Sequence, residues 1–592
     1  MLRLLVPLLF LLIAGCSSTK PAVAEAQKFL ADAESKMMAA DLEASRASWV
    51  ANNFITEDTE RLSAITTERS IRLAVDFTKQ AARLQDPAMS AENRRKIDLL
   101  TRTHTLAAPA DPKESEEVTR LTSGMEAHYG KAKYCKDKNP CLDVTAIGRI
   151  MAISRNEAEL RDVWTGWHKT AIPRKDYERF VELSNKGARE LGFADTGALW
   201  RSRYDMPTDD FAKEVDRLWS QVRPLYESLH TYTRKKLREK YGDAVTASGP
   251  IPAHLLGNIW AQDWGNVYPL LAPKAADPGF DLTAILKARK TTETGMVKYG
   301  EAFFSSLGFA PLPATFWDRS LFKKPQDREV VCHASAWDVD FENDLRIKMC
   351  IEPTAEDFST IHHELGHNYY QRAYNKQPYL FRDSAHDGFH EAIGDTIALS
   401  ITPEYLVKLG FIPKAPDPSK DTGLLLLRAL EKVAILPWAL IVDQWRWKVF
   451  AGEIKPDQYN QSWWDLRQKY QGVAPSVARP PDAFDPGAKY HVPANVPYAR
   501  YFLAAVVQFQ LHRSLAKAAG CTAPLHCCSI YQSKEAGTKL AQLLEAGRSK
   551  PWQETWKAVT GEDRMDATAI VEYFAPLKHW LDQQNQGVPS GW

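Results

Sequence analysis

The chain lacks an excess of charge of either sign: 75 basic residues stand against 74 acidic ones, for a formal net charge of +1. A nucleic-acid-binding protein needs a basic patch to neutralise phosphates, and no basic run supplies one here. The chain also lacks a break in composition along its 592 residues, because apolar residues (44%) and 18 tryptophans are spread throughout. That argues against a string of modules and for one large domain over residues 25–592, cleft into two halves. Between residues 24 and 84 glycine is missing, and the nearest proline, Pro21, precedes the stretch, so nothing there interrupts a helix. The N-terminal apolar run, residues 4–14 after Arg3, is too short to span a bilayer comfortably and has the form of a signal h-region.

What is present is chiefly helical pattern. Phe29, Ala33 and Met37 recur every four residues, as do Ile71 with Val75 and Leu73 with Phe77, which predicts long amphipathic helices. Residues 107–117 carry two prolines and several charges and read as a loop. Helical pattern then dominates to about residue 271, with Trp164, Trp167, Trp200 and Trp219 as core candidates. Further breaks fall at 272–279, 413–421 and 474–489, and the last is long enough to be a functional or wrapping loop. Only residues 329–337 and 345–350 fit short strands. The expected fold is mainly α, with a few short β-strands.

The stretch Ile13-Ala14-Gly15-Cys16 resembles the lipobox of bacterial lipoproteins. The resemblance implies a signal peptide over residues 1–15, lipidation of Cys16, and a tether over residues 16–24. It places the chain on the periplasmic side of a bacterial cell envelope, held to a membrane by its lipid, and Ser17 points to the outer membrane. An exported chain can keep disulfides. With Cys16 set aside, seven cysteines remain, so at least one is unpaired. Cys135 and Cys141 flank a small loop, and Cys332 and Cys350 bracket the strand pair, where a bond is worth about 3 kcal/mol on a chain-entropy estimate. Cys521, Cys527 and Cys528 compete for a last bond, and the sequence leaves every pairing open.

The chemistry is concentrated in His363-Glu364-Leu365-Gly366-His367, an H-E-x-x-H motif. On a helix the two histidines project from one face and can grip a single Zn²⁺, with Glu364 placed to take a proton from a water that the metal acidifies. A catalytic zinc needs a third protein ligand. Tyr370 and Ala373 occupy the places where a longer signature would put glycine and histidine, so the third ligand is expected to be Glu391. Asp395 lies one turn beyond Glu391 and could fix the tautomer of a ligand histidine. A strand edge from His333 to Ala336, just before this helix, could bind an extended peptide through main-chain hydrogen bonds. Residues 485–502 gather Lys489, Tyr490, His491, Tyr498, Arg500 and Tyr501 after a turn. Tyr and His donors suit an oxyanion, and Lys with Tyr suits a carboxylate.

The runs HHELGH, GFHEAIGD, VVCHASAW, HLLGNIWAQ, DPGAKYHVP and VPYARYF closely resemble the angiotensin-converting enzyme (M2) family of zinc peptidyl-dipeptidases, which release C-terminal dipeptides from oligopeptides. The resemblance spans nearly the whole chain from about residue 25. It implies a large helical ellipsoid with a deep central groove between two subdomains, lidded by N-terminal helices. It makes His363, His367 and Glu391 the zinc ligands, and Glu364 the general base and proton shuttle. Tyr501 and His491 stabilise the oxyanion; Gln262, Lys489 and Tyr498 clamp the substrate carboxylate; His333 and Ala334 pair with its backbone.

The resemblance further implies a chloride ion at Tyr204 and Arg500. It argues against a second ion, because Trp463 and Arg467 match there but His168 replaces an arginine. Ile435 and Ala505 stand where phenylalanines are usual, Trp438 replaces another, and Asp263 adds negative charge, which points to larger or basic C-terminal side chains. The third family disulfide is altered: Ala516 replaces one cysteine, while Cys521 and Cys527 are extra. The competing functions are a zinc carboxypeptidase or endopeptidase on the same scaffold, and an inactive peptide-binding lipoprotein.

Overall fold

A computed structural model describes residues 21–84, 88–102, 106–136, 140–273, 280–417 and 420–592, so the expected signal peptide and Cys16 lie outside the described residues. The glycine-free stretch forms two long helices, Pro21–Asn53 and Glu57–Ala81. They break at residues 54–56, where Thr56 caps the second helix through reciprocal hydrogen bonds with Thr59. The first helix starts at Pro21, so the tether expected over residues 16–24 is shortened at its end. A proline is accepted in a first turn because its missing N–H has no intrahelical partner to lose.

With the helix Ala91–Arg102, these two helices bury Leu30, Ala33, Phe77, Ala81, Ile97 and Leu100 in a small core of their own. They reach the body of the protein at a few points. Glu34, which also pairs with Lys96 inside the three-helix group, accepts from Leu380 N at 3.2 Å. Val331 N donates to Asn52 O at 3.0 Å, Arg328 Nε to Asn53 O at 2.8 Å, and the rings of Trp49 and Trp337 lie 5.4 Å apart.

The proline-bearing segment 107–117 is only half a loop. Asp111 caps the helix Pro112–Lys131, accepting from the N–H groups of Lys113 and Glu114, and Pro112 takes the first helical position. There the proline starts a helix instead of breaking one. The main core runs without interruption from Val118 to Leu581 and contains Trp164, Trp167, Trp200 and Trp219. At its centre lie the helices Ile435–Phe450 and Ala499–Ala518, which are buried on nearly every side. A helix apolar all round belongs inside a large core.

The strand pair before the motif is shorter than its sequence suggests. Ser335–Asp338 runs antiparallel to Leu345–Lys348, with Ser335 opposite Lys348 and Asp338 opposite Leu345. Residues 329–334 do not continue the strand: Val331 is drawn off to the first helix, and Lys348 Nζ binds the carbonyls of Val331 and His333 at 2.5 and 3.0 Å. Leu321 bridges Lys348 on the far side, which leaves Ser335–Asp338 as the outer strand. A second, parallel pair, Ile251–Pro252 with Val473–Ala474, has no alternating signature to announce it. Disulfides join Cys135 to Cys141, Cys332 to Cys350 and Cys521 to Cys528, leaving Cys527 as the free cysteine among the described residues.

Candidate metal centre and active site

The motif lies in the helix Ala355–Tyr374, capped by Thr354, whose hydroxyl accepts from Asp357 N at 3.1 Å. Against it packs the helix Asp387–Leu399, which carries Glu391 and Asp395. The two cross at glycines. A Cβ on Gly366 would fall 2.8 Å from Gly394 Cα, and one on Gly394 would fall 2.7 Å from His363 Nδ1. This close approach gathers His363, His367 and Glu391, whose ligand atoms all lie within 4.8 Å of one another. His363 Nε2 is 3.0 Å from His367 Nε2 and 3.7 Å from Glu391 Oε2. Two imidazoles and a carboxylate so placed fit a zinc ion, with a coordination position left for substrate or water.

The surroundings orient each ligand. His363 Nδ1 donates to Asp395 Oδ1 at 3.2 Å, which leaves Nε2 as the metal-facing atom. Asp395 in turn accepts from Lys432 Nζ at 2.9 Å. Burial raises the Asp395 carboxyl, but Lys432 and His363 outweigh it and hold the group far below the usual carboxylate range. Behind His367, Nδ1 lies 3.2 Å from His390 Nδ1, and His390 Nε2 lies 3.2 Å from the Tyr374 hydroxyl. His390 sits inside the motif beside Glu391, yet its support of His367 was not read from the sequence. Lys432, distant in the chain, gave no signal at all. The adjacent His362 takes no part: it is buried between Phe358 O (2.7 Å) and the Tyr405 hydroxyl (2.9 Å).

Glu364 faces a cavity of about 580 Å³ lined also by His333, Ala334, Thr360, His363 and Lys432. Burial raises the Glu364 carboxyl; His363 pulls it down and Glu391 pushes it up again. A carboxyl raised above its usual range suits a group that must first take and then give a proton. His333 and Ala334 are on the wall of this cavity, just before the outer strand, and the His333 ring is within 2.8 Å of Ala334 O.

The remaining expected residues form one cluster. Lys489 Nζ donates to Gln262 Oε1 at 2.7 Å, the Tyr498 hydroxyl lies 3.5 Å from the same oxygen, and Trp438 Nε1 donates to the Tyr498 hydroxyl at 3.1 Å. The Trp260 ring lies 4.2 Å from the ammonium. Burial alone pushes Lys489 down to about 7. Tyr498 packs against Tyr501 at 4.7 Å, and the Tyr501 hydroxyl is 3.4 Å from His491 Nε2. Burial, with Lys489, Arg446 and Arg500 nearby, pushes His491 down to about 3, so its ring is neutral. Burial also raises the Tyr501 phenol, and the charge of Glu391 adds to that rise, which links this cluster to the metal-binding residues.

Arg500 Nη2 sits 3.1 Å from Asp387 Oδ2, and Tyr204 is buried against the same carboxylate. At the other position, Arg467 donates to Trp260 O (2.7 Å) between the rings of Trp438 and Trp464, beside the buried Trp463. His168 stacks on Trp164 and is pushed down to about 4, mainly by burial, so it supplies no positive charge there. Asp263 accepts from Gly265 N at 2.7 Å. Ile435 opens the central helix Ile435–Phe450, and Ala505 is buried in Ala499–Ala518.

A mainly helical body with two histidines one turn apart, a downstream glutamate and an acidic residue behind the first histidine defines a metal centre of the gluzincin kind. The family model described as angiotensin-converting enzyme, peptidase M2, matches residues 20–592, and the chain belongs to that family. It is 43% identical over 582 residues to the angiotensin-converting enzyme of Bos taurus, covering 96% of this chain and 44% of that protein. With the angiotensin-converting enzyme of the leech Theromyzon tessulatum it shares 40% over 563 residues, covering 92% and 89%. With the angiotensin-converting enzyme-like protein Ace3 of Mus musculus it shares 43% over 486 residues, covering 80% and 66%. The chain thus spans about half the length of the mammalian enzymes it matches. These relatives are animal proteins, and the similarity gives no support to a bacterial lipoprotein origin.

Because the glycine crossing sets the ligand geometry, Gly394→Ala is expected to lower zinc affinity by about 10²-fold or more, as the methyl displaces the His363 ring. Competition with a zinc-sensitive chelator measures it; unchanged affinity would mean that the crossing does not matter.

Proposed function

We propose that the chain is a zinc peptidyl-dipeptidase, hydrolysing oligopeptides to release C-terminal dipeptides. The observation that carries this reading is the pairing of the His363–His367–Glu391 cluster with a separate carboxylate-binding group of Gln262, Lys489 and Tyr498, joined to it through Tyr501. A zinc ion bound at the cluster supplies a Lewis acid that polarises a carbonyl and acidifies water. Glu364 takes the proton of the attacking water and passes it to the departing amine. His491 and Tyr501 donate hydrogen bonds to the oxygen where negative charge develops. Lys489, protonated, holds the substrate's terminal carboxylate with Gln262 and Tyr498, fixing the number of residues beyond the scissile bond. The edge at His333 and Ala334 aligns the peptide backbone.

The finer readings belong to the same proposal. Residues 25–592 act as one peptidase domain. Ile435, Ala505, Trp438 and Asp263 favour larger or basic C-terminal side chains, which a tripeptide panel differing only in the last residue decides. Chloride at Tyr204 and Arg500 has weaker support than the resemblance gave it, since Arg500 already carries an anionic partner in Asp387; the salt dependence of turnover tests this. Export and lipid anchoring at Cys16, on the periplasmic side of a bacterial envelope and at the outer membrane, rest on residues 3–17. No helix among the described residues is long and apolar enough to cross a membrane. Cys16→Ser should move the protein from the detergent phase to the aqueous phase.

Glu364→Gln is expected to retain zinc and lose turnover by about 10³-fold or more, with metal content and single-turnover rates as the readouts. Dipeptides should be the first products from a tetrapeptide; single residues or internal cuts would overturn the reading. Lys489 must be protonated to hold a carboxylate, so KM should rise as pH increases through and above about 7. Lys489→Arg should move that limb to higher pH.

A further inference from the structure

Outside the catalytic centre, the described residues hold a second group of metal-binding atoms: Asp421, His526 and Cys527, whose ligand atoms all lie within 4.8 Å of one another. We propose that these three residues form a second zinc site, structural in role.

Asp421 is the first residue of the helix Asp421–Lys432, while His526 and Cys527 lie on the short turn Leu525–Cys527. The turn is closed at its base by the Cys521–Cys528 disulfide, which limits the conformations open to both side chains. His526 Nε2 is 2.9 Å from Asp421 Oδ2, and Cys527 Sγ is 3.7 Å from the same oxygen. A tetrahedral zinc with bonds of about 2.0 Å to N and O and 2.3 Å to S separates neighbouring donors by roughly 3.3–3.5 Å. The two distances here bracket that range. They also match the catalytic cluster, where the corresponding separations are 3.0 and 3.7 Å.

One thiolate, one imidazole and one carboxylate are a zinc-type donor set, and the two negative charges balance the ion. His526 is buried, whereas Asp421 and Cys527 are part-exposed, so an ion can arrive from solvent and a water can complete the coordination. Glu404 adds negative potential at Cys527. The nearby Arg428 is engaged by the Tyr573 hydroxyl, whose ring lies edge-on to His526 at 6.1 Å.

Without a cation, burial and the Asp421 charge push the Cys527 thiol up to about 12, so it stays protonated. Zinc uptake breaks the S–H bond, forms the Zn–S bond and releases the proton to solvent. The ion clasps the 521–528 loop to the start of a helix whose other end, about 16 Å away, supplies Lys432 to Asp395.

Cobalt(II) tests the proposal, because among the described residues only this site offers it a free thiol. Full-length protein stripped of metal and reloaded with cobalt should show thiolate-to-cobalt charge-transfer absorption. The His363→Ala, His367→Ala double variant should keep the band, which separates this site from the catalytic one. Cys527→Ser and His526→Gln should each lose it, and bound zinc should fall from about two ions per chain to about one, with the Cys521–Cys528 bond intact by mass. Absence of the band in the unaltered protein, or its persistence in Cys527→Ser, would overturn the proposal.

Discussion

Two helices can approach this closely only where neither carries a side chain at the crossing. Gly366 and Gly394 meet that condition, and the site depends on it. A methyl at either position would reach backbone atoms or the His363 ring within 2.8 Å. Packed interiors cannot absorb such an intrusion without moving the elements themselves. The crossing therefore sets the distance from Glu391 to the two histidines and lets Asp395 reach behind His363. On its other face the motif helix is packed as tightly, since a Cβ on Gly300 would meet Leu365 Cδ1 at 2.7 Å.

Around that crossing, burial tunes each ionisable group, and its neighbours decide the sign. His362, His363 and His367 share one helix but have different fates. His362 is surrounded by apolar rings and bonded to a carbonyl and a phenol, so burial pushes it down to about 4 and it serves the core. His363 is opposed by the same burial but is carried upward by the carboxylates of Asp395, Glu364 and Glu391. The Lys432–Asp395–His363 chain places a fixed positive charge behind a fixed negative one. It keeps Asp395 ionised where burial alone would neutralise it.

The differences between pattern and structure have local causes. Residues 112–117 looked like a loop because they hold proline and charge, but a proline in a first turn behind an aspartate cap initiates a helix. Residues 329–334 looked like strand because of the β-branched pair Val330 and Val331, yet Lys348 and the first helix take their backbone groups. Arg500, expected to hold chloride, lies beside Asp387, a residue just before the run that carries Glu391, where nothing in the sequence hints at that pairing. Sequence spacing also left the three cysteines between 521 and 528 undecided. In the fold Cys521 reaches Cys528, and Cys527 turns towards Asp421.

What the sequence determined by itself is whatever repeats over short separations. The long helices follow from four-residue periodicity, the two imidazoles from one helical turn, and the acidic third ligand from the absence of histidine and glycine beyond the motif. What only the tertiary structure decided is whatever joins distant segments: Lys432 with Asp395, His390 behind His367, the Gln262–Lys489–Tyr498 group, and the Asp421–His526–Cys527 cluster. The reason is physical. Backbone hydrogen bonds and side-chain periodicity act between residues a few positions apart and leave a pattern in the chain. Contacts between remote residues depend on how helices stack, and that is settled by packing many side chains at once.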